Sequence, residues 1–294
     1  MMVRTVGVLG CGLMGSGIAQ VSAVAGCDVI VRDLNDELLA KGRGAITNSL
    51  AKFVEKGKLT GAARDAALEK LRFTTALEEL AQCDLVIEAV TEDLELKNSL
   101  WATLDRICPP ATLFASNTSS LPIIAMARMT GRTDRFLGLH FFNPVPLMPL
   151  VEVVRTVGTS PETLAMAMAF VRRLDKQPIA AKDSAGFIVN LLLIPYLLDA
   201  VRAVERGVAS VTDIDAGMKL GCGHPMGPLT LLDFVGLDTS LKVGEILYEE
   251  FREARYAPPP LLKRMVMAGW YGKKSGKGFY DWSATPPAPS ELGL

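Results

Sequence analysis

The stretch from Val3 to Asp33 leaves this chain the fewest options. It opens on a short β-branched run ending at Leu9, which suits a strand buried on both faces. It then passes at once into Gly10-Cys11-Gly12-Leu13-Met14-Gly15. A helix is expected from about Met14 to Ala25, stopped by Gly26. A second apolar run, Val29-Ile30-Val31, ends at Arg32-Asp33. Strand, glycine turn, helix, strand and acid follow in the order a dinucleotide site needs. Gly10 permits the tight turn, Gly12 lets backbone approach a pyrophosphate, and Gly15 lets helix and strand pack closely, with the helix N-terminus facing the phosphates. Asp33, roughly 20 residues on, is where a carboxylate binds the adenine ribose hydroxyls. It would repel a 2′-phosphate, which points to NAD over NADP. Arg32 beside it could serve a phosphate instead.

The rest of the chain extends this pattern. Glu37 to Glu55 reads as a helix with a basic edge at Lys41, Lys52, Lys56 and Lys58, and Thr60 as the cap of a shorter helix to Lys70. Strands are expected at 72–75, 85–90, 112–116, 136–140, 150–156 and 177–181, with a Pro-initiated helix after Ser160. Alternation of this kind predicts an α/β Rossmann-type doubly wound, mostly parallel sheet. From Gly186 onward only helical patterns appear, including a long apolar one from Phe187 to Arg206 that contains Pro195. That predicts an all-α C-terminal domain, with a boundary near 183–186. The Pro-rich segment from Thr285 to Glu291 reads as a mobile tail.

Composition removes several function classes. A net charge of −1 gives no basic field to hold a polyanion, so nucleic acid is not expected as a partner. No apolar run approaches the ~20 residues of a membrane span. The chain enters its first strand directly, so no signal peptide is expected. The five cysteines are scattered without a paired motif, which predicts free thiols in a reducing cytoplasm and no metal site.

In doubly wound sheets, ligands sit beyond the C-terminal strand ends. Glu92, the segment Ser116-Asn-Thr-Ser-Ser120 and the segment His140-Phe-Phe-Asn143 all fall there. His140 is one of only two histidines, and its side chain suits proton transfer at neutral pH. Glu152, in the following strand, could orient its imidazole and stabilise the cation. The competing reading of each is structural: a hydrogen-bonded histidine and an ion-pair partner. His224, in a glycine- and proline-rich turn, reads as structural.

Taken together, the motifs resemble the short-chain L-3-hydroxyacyl-CoA dehydrogenase family, in particular its bacterial 3-hydroxybutyryl-CoA branch. They are Gly10 to Gly17, Glu92 to Lys97, Ser116 to Ser120, His140-Phe-Phe-Asn-Pro-Val-Pro146, Leu150-Val-Glu-Val153, Gly186-Phe-Ile-Val-Asn190, Pro225-Met-Gly-Pro-Leu229 and Gly276-Lys-Gly-Phe-Tyr280. The resemblance covers almost the whole chain. It implies NAD-linked oxidation of the 3-hydroxyl of an (S)-3-hydroxyacyl-CoA, and the reverse reduction. It implies His140 and Glu152 as catalytic dyad, Ser119 on the substrate oxygen, and Asn190 holding the substrate. Cofactor contacts are implied at the 10–15 loop, Asp33, Glu92, Lys97, Asn143 and Lys274, and acyl-CoA contacts near Ser49 and Lys56. It further implies an NAD-binding domain over 1–184 and a helical domain over 185–294 that walls the substrate pocket and forms a homodimer. Two alternatives stay open at this level: a related dehydrogenase of a sugar acid such as gulonate, and a non-catalytic NAD-binding structural protein.

Overall fold

A computed structural model describes residues 2–293 and divides into two compact units, Met1–Phe187 and Ile188–Leu294. The first unit holds one eight-stranded sheet ordered β3-β2-β1-β4-β5-β6-β7-β8. Its chain runs β1 (Thr5–Leu9), α1 (Leu13–Val24), β2 (Asp28–Arg32), α2 (Asp36–Glu55), α3 (Gly61–Glu69) and β3 (Leu71–Thr74). From there it returns through β4 (Leu85–Glu88), α4 (Leu94–Ile107), β5 (Leu113–Ser116), α5 (Ile123–Ala127) and β6 (Phe136–Phe141). It closes with β7 (Leu150–Arg155), α6 (Pro161–Arg173) and β8 (Gln177–Lys182). Side-chain oxygens of Asn35, Thr60, Asp93 and Ser160 cap α2, α3, α4 and α6, satisfying backbone donors that would otherwise lack partners.

All neighbouring strands are parallel except β6 and β7. The connection 142–149 is shorter than the roughly dozen residues a parallel crossover needs, so β7 must return antiparallel. Strand alternation then sorts the side chains. Val6, Val8, Leu85, Ile87, Leu113, Ala115, Leu137, Leu139, Val151 and Val153 pack with Ile18, Ile46 and Phe170, under α1, α2 and α6. Val86, Phe114, Phe136 and Val154 face the other way, against Trp101, Leu104, Ile123 and Met126 of α4 and α5. Trp101 has ring centroids 4.9 Å from Phe114 and 4.7 Å from Phe136. By the same period of two, Glu88, Ser116, His140 and Glu152 share that second face, at the strand ends.

The unit division, after Phe187, falls one residue past the 183–186 boundary read from composition. The reason is local: Phe187 is buried in the first unit's core, although it adopts a positive φ of 49° after Gly186 at 76°. Just before it, Asp183 accepts the backbone N–H groups of Ile123 (3.0 Å) and Ile124 (2.7 Å).

The second unit runs α7 (Val189–Glu205), α8 (Val211–Cys222), α9 (Pro228–Val235), α10 (Leu237–Phe251) and α11 (Pro260–Met267), followed by β9 (Tyr280–Asp281) and β10 (Ala288–Pro289). Pro195 lies inside α7. Asp233 ties the C-terminal segment to α9 by accepting from Phe279 N, Tyr280 N and Trp282 Nε1, each at 2.9 Å. The segment expected to be a mobile tail is instead paired. Ala288 and Pro289 lie antiparallel to Asp281 and Tyr280, and Ser290 donates to Phe279 O at 2.9 Å. Proline fits such an edge because its missing N–H is not needed there. Strands of two residues are too short for periodicity to reveal.

Candidate active site

At the glycine loop, glycine is required at two positions, once by backbone conformation and once by close packing. Gly10 has φ +91°, and a Cβ there would stand 2.7 Å from Ala89 O; a Cβ on Gly15 would stand 1.8 Å from Gly10 O. Gly12, by contrast, has nothing within 4 Å, so the space beside it is open. The N-terminus of α1 carries no side-chain cap and no acidic residue in its first turn. Uncapped donors at the positive end of a helix, beside open space, fit a pyrophosphate. Leu13 is exposed and Met14 half-buried along the same rim. Asp33, just past β2, is held by two backbone donors, Cys11 N at 2.6 Å and Leu34 N at 2.7 Å. Its carboxylate thereby fixes the loop from below while staying half-exposed. Cys11 itself is buried, and burial together with the Asp33 charge pushes its thiol up to about 11, so it stays neutral. Arg32, the possible phosphate ligand, donates instead to Thr75 O at 3.2 Å.

A buried charge cluster lies under the ends of β4 and β5. Glu88 takes Lys97 Nζ at 2.6 Å and Val90 N at 2.8 Å on one oxygen, and the Ser116 hydroxyl at 2.6 Å on the other. Lys97 also reaches Glu92 at 3.0 Å. The Lys97 and Glu88 side chains are 1% and 0% exposed, so the ion pair is fully removed from water, while Glu92 is 27% exposed. Glu92 accepts from Thr118 Oγ1, and from Ser119 N and Ser120 Oγ at 3.3 Å each. Burial acts to raise the Glu92 carboxyl, but Lys97 and these hydrogen bonds outweigh it and hold the group below the usual carboxylate range. The Ser119 hydroxyl has no hydrogen-bond partner among the described residues.

His140 and Glu152 form a direct cross-strand pair in the β6–β7 register. Nδ1 of the imidazole lies 2.6 Å from Glu152 Oε2, with side-chain exposures of 7% and 0%. The rings of Phe142 and Phe187 flank the imidazole, with centroids 4.5 and 5.6 Å away. One ring nitrogen is thus committed to a buried carboxylate, which leaves Nε2 to exchange a proton.

The first unit therefore brings together Gly10 to Gly15, Asp33, Glu92, Lys97, Ser119, His140 and Glu152 along one row of strand ends. Asn143 is exposed just beyond His140. Ser49 is half-buried on α2 and Lys56 is exposed at its C-terminus. Asn190 and Lys274 belong to the second unit. Asn190 sits in the first turn of α7, and Lys274 lies 2.7 Å from both carboxylate oxygens of Asp238. His224, read as structural, has Nδ1 3.1 Å from the Tyr196 hydroxyl. Sequence reasoning missed Glu88, and it named Asn117 only within the 116–120 segment, with no role of its own. The signal for Glu88 was present: a carboxylate inside the apolar run 85–90 must have a buried partner, and Lys97 supplies it.

A fold that cradles a pyrophosphate at one strand end and offers a proton acceptor at another is that of a nicotinamide-dependent dehydrogenase. Comparison with known proteins narrows the class. Residues 5–184 match the family model "3-hydroxyacyl-CoA dehydrogenase, NAD binding domain", and residues 186–282 match "3-hydroxyacyl-CoA dehydrogenase, C-terminal domain". A 3-hydroxybutyryl-CoA dehydrogenase of Mycobacterium tuberculosis is 51% identical over 282 residues, covering 95% of this chain and 99% of the relative. The mitochondrial hydroxyacyl-coenzyme A dehydrogenase of Homo sapiens is 46% identical over 287 residues, covering 95% and 91%. The crystal structure of (S)-3-hydroxybutyryl-CoA dehydrogenase from Ralstonia eutropha superposes with TM-score 0.93 at 45% identity, covering 96% of this chain and all of that one. The chain belongs to the 3-hydroxyacyl-CoA dehydrogenase family, and its cofactor is NAD. Membership favours this reading over the sugar-acid and non-catalytic alternatives.

Proposed function

We propose that this chain interconverts (S)-3-hydroxyacyl-CoA and 3-oxoacyl-CoA, with the four-carbon 3-hydroxybutyryl thioester as substrate. The buried His140–Glu152 pair carries the reading: the 2.6 Å contact leaves one imidazole nitrogen for the reacting proton. The loop from Gly10 to Gly15, with Asp33, Glu92, Lys97, Asn143 and Lys274, would hold NAD. When bound, NAD supplies the hydride acceptor for oxidation, and its reduced form the donor for the reverse. His140 takes the C3 hydroxyl proton at Nε2 as the C3–H bond breaks, and in reduction returns it to the forming hydroxyl. Glu152 fixes the tautomer and stabilises the imidazolium. Ser119 donates to the same oxygen, and Asn190 orients the acyl group. The nucleotide end of CoA docks near Ser49 and Lys56.

Membership of this family and the dyad geometry support the proposal. The decisive assay sets acetoacetyl-CoA with NADH against gulonate with NAD. Turnover of the thioester alone fits; turnover of the sugar acid alone sinks the reading.

The same reading includes a domain arrangement of 1–184 for cofactor and 185–294 for substrate pocket and assembly, and a homodimer through the helical part. Exposed apolar residues support the dimer: Leu192 on α7 is 66% exposed and Leu220 on α8 is 86% exposed. Light scattering that finds only monomer would contradict it. The five free cysteines suit a reducing compartment such as the cytoplasm. No helix among the described residues is long and apolar enough to cross a membrane.

A further inference from the structure

The parallel ladder between β5 and β6 pairs Phe114 with Phe136, Ala115 with Leu137 and Ser116 with Gly138, and ends there. His140 and Phe141 lie beyond its last rung, paired on their other side with Glu152 and Val151 of β7. Phe141 is buried, and a buried backbone N–H left without an acceptor is costly. Its acceptor is a side chain: Asn117 Oδ1, at 2.9 Å. Asn117 follows Ser116 directly, and its own N–H donates to Glu88 O at 2.8 Å. A side-chain carbonyl thus continues the ladder at the point where the β5 backbone turns away into 117–120.

The far side of that turn is fixed by Glu92, through Thr118 Oγ1, Ser119 N and Ser120 Oγ. Between these two anchors stands Ser119. Across the Asn117 bond stands the residue after His140. Among the described residues no other hydrogen bond joins the 117–120 turn to the His140 strand end, so beyond the Ser116–Gly138 rung this bond is what ties together the two groups proposed to meet the substrate oxygen.

We propose that Asn117 is a positioning residue that sets the spacing between Ser119 and His140, and that it acts through its side-chain carbonyl rather than its bulk. The inference rests on the roles proposed above for Ser119 and His140. A shift of about 1 Å in such a constellation can cost on the order of 10²-fold in rate. Groups that act as one unit show effects well below the product when both are removed.

The test is steady-state reduction of acetoacetyl-CoA with NADH Kd measured in parallel, for Asn117→Ala, Asn117→Asp, Ser119→Ala and the Asn117→Ala/Ser119→Ala double variant. Asn117→Ala should lower kcat by roughly 10- to 100-fold, with NADH Kd unchanged. Asn117→Asp keeps an oxygen for Phe141 N–H and should recover most of that loss. In the Ser119→Ala background, Asn117→Ala should add little. The inference is overturned by an unimpaired Asn117→Ala, by Asn117→Asp being as slow as Asn117→Ala, or by full multiplicativity with Ser119→Ala. Should Asn117→Ala not fold, Asn117→Ser, whose hydroxyl is too short to span the gap, is read in its place with the same outcomes. Loss of kcat in Ser119→Ala and His140→Gln but not in Asn117→Ala removes only the positioning role. An unimpaired Ser119→Ala removes the site assignment and this inference with it.

Discussion

Replacing Lys97 by Met tests how the buried charge cluster is balanced. Lys97 Nζ stands 2.6 Å from Glu88 and 3.0 Å from Glu92, and the Lys97 and Glu88 side chains are 1% and 0% exposed. Methionine fills much of the same space but brings no charge. Glu88 would keep its bonds from Val90 N and the Ser116 hydroxyl and lose its counter-ion. Breaking a buried pair from one side typically costs about 3–5 kcal/mol, because an uncompensated charge remains. At about 2–4 °C per kcal/mol for a domain of this size, the apo protein should lose roughly 6–20 °C in Tm. Adding Glu88→Gln should restore much of that loss, since the stranded charge is gone and Gln keeps the shape. Calorimetry of the wild type, both single variants and the double variant at neutral pH closes the cycle. A Lys97→Met protein within about 1 kcal/mol of wild type, or a double variant as unstable as the sum of the singles, would refute the reasoning.

Three further outcomes follow from the same geometry. Glu92 is held below the usual carboxylate range, against burial, by Lys97 and its hydrogen bonds. A depressed carboxyl contributes stability that is present above its unfolded value and lost as pH falls through the folded one. Acid unfolding of Glu92→Gln should therefore lose less stability on acidification than wild type, and identical pH profiles would exclude that contribution. Asp33→Ala should weaken NADH binding and narrow its advantage over NADPH in titration calorimetry; a wild type that prefers NADPH would contradict the ribose role. Lys56→Glu should raise KM for acetoacetyl-CoA far more than for an acetoacetyl-pantetheine thioester, which lacks the nucleotide phosphates. Equal effects would remove Lys56 from CoA recognition.

Much of this was legible in the residues, and the gaps have physical causes. The glycine loop, Asp33 and the strand ends were readable because glycine geometry and buried β-branched runs are local signals. The His140–Glu152 pairing was readable only as a possibility, since register depends on the short 142–149 connection forcing β7 antiparallel. Glu88 hid inside an apolar run, where its partner lies on the next helix rather than in the strand. Asn117 stood inside the flagged 116–120 segment, but its own role was not legible, because that role comes from the rung at which β5 and β6 part. The tail was misread because its proline content outweighed a ladder two residues long. Arg132, buried among carbonyls and stacked 4.5 Å from the Phe114 ring centroid, was likewise invisible to periodicity.

The most direct test of the central claim is single-turnover reduction of acetoacetyl-CoA by His140→Gln, Glu152→Gln and the double variant, each preloaded with NADH. A positioned general acid–base contributes about 10² to 10⁴-fold, so His140→Gln should slow the chemical step by that range with NADH Kd near wild type. Glu152→Gln should also be strongly slowed, and the double variant should fall well short of the product of the two, since the pair acts as one unit. A His140→Gln enzyme that keeps most of its single-turnover rate, or a double variant that is fully multiplicative, would mean that another group at the strand ends moves the proton.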